Sequence, residues 1–134
     1  MLTLIGETAG LALDLLEKNG VLVPFCKARS TEHGNLIIQA GDNENSSDCS
    51  PEQYAESAWI DLKRRIANGT ILEFAFCSDN FVKLQNEPNE RRFLKIEFQN
   101  GTDESGIYLF PLSVENGKAS VGPYLKSDLR EKLL

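Results

Sequence analysis

The sequence predicts an α+β fold: a single antiparallel sheet of about five to six strands with two main helices packed on one face, in the order α-β-β-α-β-β-β(-β). Three stretches carry that prediction. Ser50 to Cys77 reads as one helix followed at once by a buried strand. Arg91 to Gln99 alternates apolar and polar residues with a period of two, and Gly106 to Glu115 sets Tyr108, Phe110, Leu112 and Val114 on one face. Asn116-Gly117 stands between two such runs, which is the signature of a tight hairpin.

The first helix spans Leu4 to Lys18. Leu4, Ile5, Ala9, Ala12, Leu15 and Leu16 make its apolar stripe, and Asn19-Gly20 ends it with a residue suited to the left-handed region. Val21 is then placed to fold back on the last turn. Val21 to Arg29 reads as a strand whose Pro24 lacks a backbone donor, so an edge or a bulge is expected. Ser30 to Asn35 is a hairpin loop with Gly34 at its positive-φ position, and Leu36 to Gln39 returns.

Residues 41 to 50 are polar and acidic, and predict a mobile surface loop. The helix after it starts with Ser50 as N-cap, Pro51 in the first turn and Gln53 closing a capping box. Its apolar face is Ala55, Ala58, Trp59, Leu62 and Ile66, with Tyr54 at the flank. Asn68-Gly69 ends it. In the strand Thr70 to Cys77, Leu72, Phe74 and Phe76 face the helix. Ile71, Glu73, Ala75 and Cys77 form a mixed second face, which suggests only partial cover.

Phe81 to Leu84 reads as a short strand or an irregular excursion, and Gln85 to Glu90 as a loop. Along Arg91 to Gln99, Leu94, Ile96 and Phe98 face in while Lys95, Glu97 and Gln99 face out. Tyr108, Phe110, Leu112 and Val114 share a face of the next strand, where Pro111 again suggests a bulge or an edge. The Asn116-Gly117 turn then sets Glu115 opposite Lys118, Val114 opposite Ala119 and Leu112 opposite Val121. The last strand ends near Gly122-Pro123, and Ser127 to Leu134 reads as a short terminal helix.

A chain of 134 residues with 41% hydrophobic and 25% charged residues makes one globular domain. No run approaches the roughly 20 apolar residues of a membrane span, and the N-terminus lacks the basic region of a signal peptide. Cys26, Cys49 and Cys77 are an odd number at spacings of 23 and 28, which points to reduced thiols in a cytoplasm rather than to disulfides or zinc. The net charge is −6, and residues 41 to 56 hold Asp42, Glu44, Asp48, Glu52 and Glu56 with no base. That balance argues against nucleic acid, which needs a basic face.

The chain also resembles a group of small soluble bacterial proteins with no established activity. The resemblance rests on Leu15-Leu16-Glu17-Lys18-Asn19-Gly20, Pro24-Phe25, the strand Ile71 to Cys77, Phe93 to Phe98 and Tyr108-Leu109-Phe110-Pro111-Leu112, and covers about residues 11 to 125. It implies a bacterial, cytoplasmic setting and, by analogy, an immunity or adaptor role.

Chemical motifs are sparse. His33 is the one histidine, so any nucleophile–base device must use it. Asp42, Glu44 and Ser46 alternate as in a calcium loop, but Ser47 replaces the turn glycine and Gln53 the bidentate Glu. Glu73 and Glu97 are read as cross-strand partners of Lys95 or Arg92 rather than as a catalytic pair. No metal or cofactor is therefore expected. The function that fits is a non-catalytic interaction module, acting on an unknown protein partner or on itself. Asp42, Glu44 and Asp48 are its candidate partner-binding residues. The alternative is a small-ligand-binding domain or weakly marked hydrolase with a pocket between sheet and helices, where Cys26 and His33 would be the polar groups.

Overall fold

The computed structural model describes residues 3–32, 34–39, 51–85, 87–100 and 104–128. Two helices, α1 (Thr3–Asn19) and α2 (Pro51–Ala67), accompany one antiparallel sheet. Its strands are β1 (Phe25–Ser30), β2 (Gly34–Gln39), β3 (Ile71–Lys83), β4 (Glu90–Asn100), β5 (Glu104–Glu115), β6 (Lys118–Val121) and β7 (Leu125–Ser127). The spatial order is β2-β1-β3-β4-β5-β6, and β7 also pairs with β5. The fold class and the element order follow the sequence expectation.

The placement of the helices does not. They cover opposite faces of the sheet. Along β3, Phe74 and Phe76 join the α2 residues Ala58, Trp59 and Leu62, with Cys26, Ala28 and Ile38. Ala75 and Cys77, pointing the other way, join the α1 residues Leu4, Ile5, Ala9, Ala12 and Leu16. Leu94, Ile96, Phe98, Tyr108 and Leu112 complete the α1 core. The Ala75 and Cys77 part of the supposed mixed face is thus covered by α1, where small side chains let a helix approach closely, while Ile71 joins the α2 core and Glu73 pairs with Arg29. Trp59 is the keystone of the second core: it meets the Phe74 and Phe76 rings edge-on at 6.1 and 5.3 Å.

Local chemistry accounts for most boundaries. Gly20 and Gly69 follow the two helices at φ +77° and +80°, and their N–H groups donate to Leu16 O and Ile66 O. The Thr8 hydroxyl, buried in α1, donates to Leu4 O at 2.7 Å. Asn116 and Gly117 both take positive φ, and β5–β6 pair in the register the turn dictates.

Several strand details differ from expectation. Neither proline marks an edge: β1 lies between β2 and β3, with Pro24 just outside it, and β5 lies between β4 and the β6–β7 run. Pro111 meets the other expected alternative, a bulge-like register step, since Leu112 pairs with Val121 but Leu109 with Leu125. The N–H and C=O of one strand residue point to the same neighbour. Gly122 N–H reaches Pro111 O, so the missing donor falls at this irregularity and costs no ladder bond. A second bulge lies in β3, where Arg29 pairs with Glu73 but Ser30 with Ile71. The extra residue, Leu72, is left 53% exposed, and Ile71 is buried in its place.

Val21 stays outside and Leu22 enters the core. β3 runs unbroken through Phe81 to Lys83. Glu97 and Gln99 are buried, so the second face of β4 is covered too. Glu73 pairs with Arg29 at 3.0 Å and Glu97 approaches Lys95 at 3.8 Å. Ser127, the first residue of the expected terminal helix, ends β7; residues 129–134 of that helix lie outside the described residues, as do the acidic loop and His33. β7 is close-packed on Gly106, where a Cβ would meet Lys126 Cε at 2.8 Å.

Replacing Trp59 by Ala is expected to lower unfolding stability by about 3–5 kcal/mol, as for other buried aromatics. The denaturant midpoint should fall with an unchanged m value. A loss below about 1 kcal/mol would contradict the role given to this ring.

Candidate functional site

The candidate site is built where two strands outrun the helix that covers them. α1 stops at Asn19, and the left-handed Gly20 turns the chain down toward β1. That turn sends Leu22 into the core and leaves Val21 65% exposed. Opposite, β3 and β4 continue together as a long ladder, with Phe81 facing Arg92 and Lys83 facing Glu90. Asp79 and Phe81 carry on the face of Ala75 and Cys77, but beyond the reach of α1, so Phe81 is also 65% exposed.

Between these elements lies an open groove of about 490 Å³, lined by Gly20, Val21, Leu22, Asp79, Asn80, Phe81, Glu90 and Arg92. Its floor is an ion pair. Arg92 Nε donates to both Asp79 oxygens, at 3.0 and 3.2 Å, and Nη2 donates to Oδ2 at 2.6 Å. This two-pronged geometry fixes the guanidinium plane. The hydrogen bonds it donates to Asp79 raise the Arg92 pKa further, so the guanidinium stays charged. Asn80 donates to Ser78 Oγ at 2.7 Å. The lining therefore offers two exposed apolar side chains beside a fixed charge pair, with Glu90 as a further anion. Lys83, opposite Glu90 in the ladder, stands outside the lining.

Of the residues singled out from the sequence, Cys26 is fully buried under α2 within the cluster that holds Trp59 and Phe76. Burial pushes its thiol pKa far up, so it is protonated at neutral pH. Cys77 behaves alike on the other face. His33, Asp42, Glu44 and Asp48 lie outside the described residues. The groove residues escaped the sequence reading because Asp79 and Arg92 are 13 positions apart and meet only through the β3–β4 register. The signal available was the continued alternation Ala75, Cys77, Asp79, Phe81.

Among the described residues, no cluster of three or more His, Cys, Asp or Glu side chains is placed to hold a metal ion. No described helix is long and apolar enough to cross a membrane. Neither a protein-family model, nor a curated protein, nor a solved structure matches this chain.

The buried thiols give a pH prediction. Their folded pKa values lie above the unfolded ones, so their contribution to stability is full below the ordinary thiol range and is lost as pH rises through it. Unfolding stability should decline above about pH 8.5, by up to ~1.4 kcal/mol per pH unit for each thiol. Replacing both Cys26 and Cys77 by Ala should remove that part of the slope. An unchanged alkaline slope in the double variant would refute it.

Proposed function

We propose that this protein is a non-catalytic protein-interaction module of the immunity or adaptor kind, set in a bacterial cytoplasm. Its groove would receive a segment of a basic partner protein. The observation that carries this reading is the pair Val21 and Phe81, each 65% exposed, beside the Arg92–Asp79 clamp. Large apolar side chains held in the open, Phe81 on the β3–β4 ladder and Val21 on the turn after α1, suit the anchor contacts of protein interfaces. The clamp supplies polar complementarity without a free charge to desolvate.

The sign of the partner follows from charge. Asp79, Glu90 and Arg92 leave the lining with one net negative charge, and the whole chain carries −6. Such a field speeds encounter with a basic partner and repels an acidic one. Asp42, Glu44 and Asp48 add to that field and are proposed as a second point of contact.

A small ligand in the same groove is the second reading, favoured by a volume within the range of small-molecule sites. There, Asp79, Asn80, Glu90 and Arg92 would be the polar groups.

Selection of a random peptide library on the immobilised protein is the test. Enriched sequences should place an apolar anchor beside Lys or Arg. Their affinity should fall about tenfold or more for Phe81→Ser, as for a central anchor. Asp42→Asn, Glu44→Asn and Asp48→Asn together should slow association and weaken its salt dependence. Peptides that bind Phe81→Ser as well as the wild type would overturn the groove; enrichment of acidic peptides would overturn the partner's charge.

A further inference from the structure

The two edges of the sheet are treated differently, and the difference points to a second interface. One edge is the β6–β7 run. Its strands have four and three residues, are broken at Gly122-Pro123, and carry Lys118 and Lys126. Short strands, a proline, a register step and lysines are the devices by which natural sheets discourage pairing with another chain. The other edge is β2, and it has none of them. Its sequence, Gly-Asn-Leu-Ile-Ile-Gln, contains no charge and no proline. Its pairing with β1 is regular over all six residues, from Phe25 opposite Gln39 to Ser30 opposite Gly34. Among the described residues β1 is its only strand neighbour, so its outer ladder groups face no described strand.

We propose that β2 pairs antiparallel with β2 of a second copy of this chain, joining the two sheets into one across a two-fold axis. The side-chain pattern of the strand selects both the partner and the register. A two-fold axis perpendicular to the sheet keeps each face on its own side, so residues can oppose only residues of the same face. Centred on Ile37, the pairing sets Ile37 against Ile37 on the α1 face and Leu36 against Ile38 on the α2 face. Apolar meets apolar at each of these positions. Centring on Leu36 instead would set Asn35 against Ile37 and Gly34 against Ile38. A partner strand bearing charges would lose the apolar matches.

Two further observations fit a second copy. Ile37 is 53% exposed although it sits in a regular strand, and the proposed pairing covers it. Lys27, opposite Ile37 in β1, is paired with Glu7 at 3.0 Å, so among the described residues of β1 and β2 no unbalanced charge stands beside Ile37. α2 packs on β1, β2 and β3, so the junction brings the two α2 helices onto the same face of the joined sheet.

The test uses the full chain in two measurements. Sedimentation equilibrium at about 100 μM, where an interface of micromolar affinity is saturated, should give a dimer for the wild type. Ile37→Lys, an exposed change that leaves the far-ultraviolet circular dichroism unchanged, should give a monomer. For the register, Ile37→Cys in a Cys49→Ser background should form an inter-chain disulfide on mild oxidation, since a residue on the two-fold axis faces itself within disulfide range. Leu72→Cys, equally exposed at 53% but away from β2, should not. A monomeric wild type at that concentration overturns the proposal. So does a dimer that survives Ile37→Lys, or one in which residues 37 and 72 cross-link at equal rates.

Discussion

Between Phe74 and Ser78, strand β3 has no side facing solvent. Phe74 and Phe76 lie under α2, Ala75 and Cys77 lie under α1, and β1 and β4 close the two hydrogen-bonding edges. The remaining architecture depends on this double burial. Each helix has one apolar stripe, and each stripe needs a surface. A single strand supplies both by alternating large residues on one side with small ones on the other. The large rings fill the space toward Trp59, while alanine and cysteine let α1 sit close. The two cores therefore share one strand, and loosening either one disturbs the other through it.

The surface features follow from the same strand. β3 is 13 residues long, more than its covering helix can reach, so its outer end carries β4 along as an uncovered ladder. Phe81 and the Arg92–Asp79 clamp are placed there by the register alone. At the other end of the sheet, β1 hands its outer edge to β2, which α2 covers on one face only. Both candidate contact regions thus lie where the sheet extends beyond its helices, in the way rigid frameworks usually present binding residues.

What the sequence made legible was local. Helix stripes, left-handed glycines and the Asn116-Gly117 register act over a few residues, and each appears in the structure where its chemistry requires. What it hid was relational. Period-two alternation shows that a strand has two faces but not which helix takes which face, and Ile71, Glu73, Ala75 and Cys77 read together as a mixed face with only partial cover. One inserted residue at Leu72 reverses the alternation locally, so Ile71 is buried where Leu72 was expected. Pro24 and Pro111 signalled missing donors correctly, yet a bulge or a strand end satisfies that constraint as well as an edge does. The groove was the least legible part, because Val21, Asp79, Phe81 and Arg92 come from three elements and share no local pattern.

Native-state hydrogen exchange tests the central role of β3 most directly. Exchange free energies report the opening of each segment, and the strand joining both cores can open only with the whole molecule. The amides of Phe74 to Ser78 should form the slowest class, with exchange free energies equal to that of global unfolding, and those of β6 and β7 should open at lower cost. If the Phe74 to Ser78 amides exchange through a partial opening, while either helix stays protected, the two cores are independent and the account is wrong.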